Sequence, residues 1–179
     1  CSPKELDMVD PITGIRPQNS LAVYWVAQTM LLGYRLTKNR AYLDLAIEVT
    51  DSLSLYQQVW NPPFLNLNAF GGFGVMNTDA EWNDARQSLF APHYYEMHDA
   101  TGMDEYLERG QAALRASFVL ASIPENARVS PNTFESYPVG LMPENYGHSG
   151  LDQPSGRSDS CWGEAGALTS VAWVRHHYP

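Results

Sequence analysis

The chain has 179 residues, enough for one domain with a sizeable core, and its 44% hydrophobic content excludes a disordered polypeptide. A net charge of −9, with its arginines scattered (Arg16, Arg35, Arg40, Arg86, Arg109, Arg115, Arg128, Arg157, Arg175), excludes a general basic footprint for nucleic acid or an anionic membrane. Only 17% of residues are charged while 12% are aromatic, a balance suited to surfaces that hold polar, ring-shaped ligands.

Residues 1–17 are rich in Pro and Asp and read as irregular. The most apolar run, Leu21 to Leu32, is too short to span a bilayer and contains Gln28 and Thr29. It therefore predicts a buried helix over about 20–38, capped by Asn19 or Ser20 and apolar nearly all round. A second helix, about 40–58, is one-sided: Tyr42, Leu43, Ala46, Val49, Leu53 and Tyr56 share a face opposite Asp44, Glu48 and Asp51.

The same contrast recurs. A helix over about 83–100 tolerates Pro92 near its start, and one over about 103–121 repeats Tyr106, Leu107, Gly110, Ala113, Leu114, Ser117, Phe118 and Ala121 on one face. Thr37-Lys38-Asn39-Arg40-Ala41-Tyr42-Leu43 and Thr101-Gly102-Met103-Asp104-Glu105-Tyr106-Leu107 open the two second helices in one register. A fifth helix, about 163–177, begins a third unit. Inner–outer, inner–outer, inner is the pattern of an all-α hairpin array, and repeats of this kind decide architecture. Two long connections, about 59–82 and 122–162, each join an outer helix to the next inner one, so both are expected on one rim, where loops of such length usually carry function.

The second unit runs Trp82-Asn83-Asp84-Ala85-Arg86-Gln87, Tyr94-Tyr95, Thr101-Gly102 and Tyr106-Leu107-Glu108-Arg109-Gly110. With its alternation of inner and outer helices, it resembles the six-hairpin (α/α)-toroid superfamily of glycoside hydrolases and polysaccharide lyases. The resemblance covers about residues 18–178 and implies an incomplete toroid, because two and a half hairpins stand where six close a ring. Residues 1–179 are then a single all-α domain, or a fragment of a larger toroid completed by the rest of its polypeptide or by another chain. A short open array is the third option.

The first rim loop places Asp79, Glu81 and Asp84 beside Trp82, and crowded carboxylates of this kind can supply the general acid and base of glycoside hydrolysis. Phe73 and Trp82 are candidates for stacking on sugar faces, and Asp79 or Asn83 equally suits a helix cap. The loop glycines lack a following Gly-Lys-Ser/Thr, so they read as points of close approach and not as a phosphate cradle. The second loop contributes Glu144, Asn145, Tyr146, His148, Arg157, Trp162 and Glu164. Glu144 and Glu164 suit a hydrolase. Tyr146 and His148 as proton carriers, with Asn145 and Arg157 as neutralisers, suit a lyase. His93, on the second inner helix, is a candidate for the central cavity.

The expected activity is hydrolysis of a poly- or oligosaccharide. Lyase chemistry and a non-catalytic binding module are the alternatives. No cofactor, metal site, nucleic-acid partner or membrane-spanning segment is expected. Cys1 and Cys161 leave pairing open. A chain opening on Cys1 also fits an acylated lipoprotein end, which favours a secreted, periplasmic or lipid-anchored location over the cytoplasm.

Overall fold

The structure is a computed structural model that describes residues 17–77, 81–124, 139–147, 154–155 (backbone only) and 163–179. It is mostly helical. The five α-helices among the described residues are α1 (Ser20–Thr37), α2 (Arg40–Ser54), α3 (Phe90–Thr101), α4 (Asp104–Ala116) and α5 (Glu164–His177). α1 packs on α2 and α3 on α4 as two hairpins; α5 lies against α3 and α4.

The repeated sequence corresponds to a repeated junction. Thr37 Oγ donates to Gly33 O at 2.7 Å and accepts from Asn39 N at 3.2 Å. Thr101 Oγ donates to Met97 O and accepts from Met103 N at the same two distances. The residue after each Thr, Lys38 (φ 57°) or Gly102 (φ 72°), is left-handed and returns its N–H to the helix, which ends the first helix and turns the chain into the second. Asn19 caps α1 through Leu21 N and Asn39 caps α2 through Ala41 N, each satisfying an orphan donor of the first turn.

α2 buries Leu43, Ala46 and Leu53 of the stripe its periodicity predicts, together with Thr50, while Tyr42 of that stripe is exposed; each fully buried Leu contributes about 2 kcal/mol. α3 is covered most completely, burying Phe90, Ala91, His93, Tyr94, Tyr95 and Met97. α1 differs from expectation. It buries Val23, Tyr24, Ala27 and Leu31 but leaves Trp25, Val26, Leu32 and Leu36 exposed, because α2 and α3 reach only one side of it.

The main departures from the periodicity are that α2 stops at Ser54, α4 stops at Ala116 and α3 starts only at Phe90. Residues 83–89 are not α-helical: Asn83–Asp84 form a short strand, β1, and Ala85–Leu89 a 3₁₀ turn into α3, with Pro92 in the first turn of that helix. β1 pairs antiparallel with β2 (Asn145–Tyr146), which pairs antiparallel with β3 (Pro154–Ser155). The main core lies between α1, α2, α3 and α4 and includes Phe73. A second core of Leu67, Ala85, Leu120, Ala121, Met142, Tyr146 and Ala167 lies where the two long connections meet α5. No helix among the described residues is long and apolar enough to cross a membrane.

Candidate functional site

After α2 the chain turns back on itself. Gln58 N donates to Gly72 O at 2.7 Å, Gly71 N to Gln58 O at 2.8 Å and Gly74 N to Tyr56 O at 3.2 Å. A side chain is excluded at Gly71, which has φ 88° and where a Cβ would stand 2.4 Å from Ala112 O of α4. The strip then crosses to the start of α1, where Ser20 N donates to Val75 O at 2.8 Å. These backbone bonds bring Glu81 beneath the strip, only 4% exposed.

Glu81 joins both long connections. Its Oε2 accepts from Val75 N at 3.1 Å and its Oε1 from Asn145 Nδ2 at 2.9 Å. Trp82 N donates to Tyr146 O and Ala85 N to Glu144 O, so the β1–β2 pairing seats the second loop on the first. Two residues on, Asp84 caps the 3₁₀ turn through Arg86 N at 2.9 Å. It also grips the Arg86 guanidinium with both oxygens, at 2.7 and 2.5 Å. The same Nη2 that donates to Asp84 Oδ2 lies 3.6 Å from Glu144, whose side chain is half-exposed. Asp84 above all, through this hydrogen bond, holds Arg86 more firmly protonated than usual. A cleft of about 450 Å³ is lined by Gln18, Tyr56, Gln58, Met76, Asn77 and Glu81, and of these carboxylates Glu81 is the one that lines it.

The two rim loops therefore converge and bring Glu81, Trp82, Asp84, Glu144 and Asn145 together. Trp82 is half-buried, with its indole against Gly147 and edge-on to Phe64 at 5.7 Å. Glu164 is an anchor: its Oε1 accepts from Met142 N at 2.8 Å and ties the second loop to α5.

Three candidates are elsewhere than expected. Phe73 has no exposed surface for a sugar, because it packs edge-on to Phe90 at 5.1 Å and beside Tyr94 in the main core. Tyr146 is also fully buried, in the second core, so its phenol cannot exchange a proton with a ligand on the surface. His93 faces no cavity. It is 1% exposed, and burial lowers its pKa to about 3. Its Nδ1–H donates to Gln28 Oε1 at 2.7 Å, since Gln28 Nε2 is itself donating to Glu96, which leaves Nε2 to accept from Thr50 Oγ at 2.9 Å. Asp79, His148, Arg157 and Trp162 lie outside the described residues, as do Cys1 and Cys161.

Two polar residues of the site, Arg86 and Gln87, were not singled out from sequence, and Asn83, expected as a helix cap, is not one because Asp84 caps the turn. Arg86 is the cation between two carboxylates. Asn83 donates to Ala116 O at 3.2 Å, and Gln87 accepts from Phe73 N at 2.5 Å. Both are buried, and Asn83 Oδ1, Gln87 Nε2 and Trp82 Nε1 have no hydrogen-bond partner among the described residues. The available signal was an Asp-x-Arg step inside a polar run, Glu81 to Gln87, interrupted only by Trp82 and Ala85. Among the described residues no group of three His, Cys, Asp or Glu side chains could hold a metal ion.

Fold and site together define a helical-hairpin protein whose two long connections meet in a carboxylate-bearing rim. No family model matches the chain, and no curated protein is significantly similar to it.

Proposed function

We propose that this chain is a glycoside hydrolase acting on a poly- or oligosaccharide through carboxylate chemistry. The observation that carries this reading is the β1–β2 pairing, which brings Asp84 and Glu144 from two loops onto Arg86 and seats Glu81, two residues before β1, against an open cleft. Hydrolysis of a glycosidic bond needs a carboxylate with access to the sugar and to water. Glu144 is half-exposed and open to water, and we assign it the role of base or nucleophile. Asp84 acts through Arg86, which it orients toward Glu144. Glu81 accepts hydrogen bonds at both oxygens, which suits a positioning carboxylate better than a proton donor. Asp79 is retained as the candidate acid on its sequence position alone.

The test is incubation of the full chain with a panel of neutral and uronic polysaccharides, following reducing ends and unsaturated-uronate absorbance. Reducing ends without new absorbance support hydrolysis. New absorbance indicates elimination and overturns the proposal, and neither signal on any substrate leaves a binding module. Glu144→Gln should lower the rate about 100-fold with the fold intact; an unchanged rate removes Glu144 from the chemistry.

A further inference from the structure

Gln58 lines a second cleft, of about 460 Å³, as well as the Glu81 cleft. The second cleft has an apolar side and a polar side. Phe70 and Val59 supply the first and are 46% and 65% exposed. Phe70 is held in place by the close approach of Gly71 to Ala112 and by Asn68 Oδ1, which accepts the Phe70 N–H at 3.2 Å.

The polar side is built and not merely exposed. Gln57 is 7% exposed, and its Nε2 donates to Arg109 O at 3.0 Å and Gly71 O at 3.3 Å. Its Oε1 accepts from Arg109 Nη1 at 3.1 Å. The remaining edge of the Arg109 guanidinium is taken by Glu105, with bonds of 2.9 and 2.7 Å. The guanidinium is thus committed to Glu105, while Glu108 adds a negative charge with no cation paired to it among the described residues. Glu81 contributes another carboxylate to the neighbouring cleft.

We propose that the two clefts are adjacent subsites of one groove for an extended, uncharged carbohydrate chain, with Phe70 as the stacking platform of the outer subsite. An aromatic face beside fixed carboxylates and amides accepts the apolar face of a sugar ring and the hydroxyls around its edge. Arg109, the one cation among the lining residues described, is already paired, so a polyuronate meets net negative charge and is disfavoured. The ligand class rests on the carbohydrate reading above; the adjacency of the clefts does not.

The experiment is calorimetric titration of the full chain with β-1,4-linked glucose, β-1,4-linked xylose and α-1,4-linked glucose oligomers, from disaccharide to hexasaccharide, and with oligogalacturonates of matching length. At least one neutral series should bind about tenfold more tightly as the hexamer than as the dimer, one tenfold step being about 1.4 kcal/mol. Phe70→Ala should abolish most of that gain, and Phe70→Trp should restore it. Phe70 belongs to neither core, and circular dichroism of each variant checks that the fold is retained. The groove is overturned by no binding from any neutral series, by affinity independent of length or of Phe70, or by tighter binding of the galacturonates. Length-dependent binding without reducing-end release keeps the groove and removes hydrolysis. Hydrolysis without length dependence does the reverse.

Discussion

Asn145 donates to Glu81 across 64 residues of sequence, at 2.9 Å and out of contact with bulk solvent. That bond, with the flanking β1–β2 pairing, ties the connection leaving α2 to the connection leaving α4 and creates the rim. Removing one partner of a buried hydrogen bond leaves the other to bear its desolvation. Asn145→Ala is therefore expected to lower stability by about 1–3 kcal/mol in chemical denaturation. A loss within error would mean that the two loops are held together by the backbone pairing alone.

Arg86 bridges Asp84 and Glu144 as a planar fork, and a lysine cannot reproduce the two parallel bonds to Asp84. Arg86→Lys should cost roughly 1–2 kcal/mol, less than a fully buried pair because the Arg86 side chain is a quarter exposed. If Glu144 acts on substrate, the same variant should lower kcat more than it raises KM. Steady-state kinetics on whichever polysaccharide the panel identifies provides the measurement.

His93 gives the protein an acid sensitivity of defined sign. Its folded pKa, about 3, lies below the unfolded 6.5, so on acidification the unfolded chain binds the proton first. This group's contribution is fully present above pH ~6.5 and is lost as the pH falls toward 3, by at most about 1.4 kcal/mol per pH unit. Between pH 7 and pH 5 the loss should approach about 2 kcal/mol. Carboxylates add slopes of their own, so the informative quantity is the difference between the parent and His93→Gln in urea melts at the two pH values. Equal slopes would show that the imidazole does not titrate on unfolding.

Gly71 and Gly102 are both left-handed, but only one is crowded. A Cβ at Gly102 meets nothing within 4 Å, whereas one at Gly71 would stand 2.4 Å from Ala112 O and 2.9 Å from Ala112 Cβ. Gly102→Ala should cost only the left-handed strain, about 1 kcal/mol. Gly71→Ala adds overpacking against helix backbone and should cost roughly 3 kcal/mol or more, with loss of the Phe70 platform. Thermal melts of the two variants side by side separate strain from clash.

Local chemistry made much of this fold legible in the sequence. The Thr37 and Thr101 junctions, the asparagine caps and the one-sided stripe of α2 depend on residues within a few positions of one another, where spacing alone sets which groups can meet. The convergence of the loops was also accessible, because it follows from counting helices: each connection leaves the second helix of one hairpin for the first helix of the next unit.

Which side chains of those loops face inward was not accessible. Phe73, Tyr146 and the run Glu81 to Gln87 carry no period, and their burial comes from contacts with partners far along the chain. His93 reads as a candidate until Gln28 and Thr50, from two other helices, are found at its two nitrogens. The sequence by itself determined the helical hairpins, since short-range hydrogen bonds and apolar spacing act before the chain is compact. Only the tertiary structure decided which polar groups became site and which became strut. That depends on desolvation and on partner geometry, and both are set when distant segments pack.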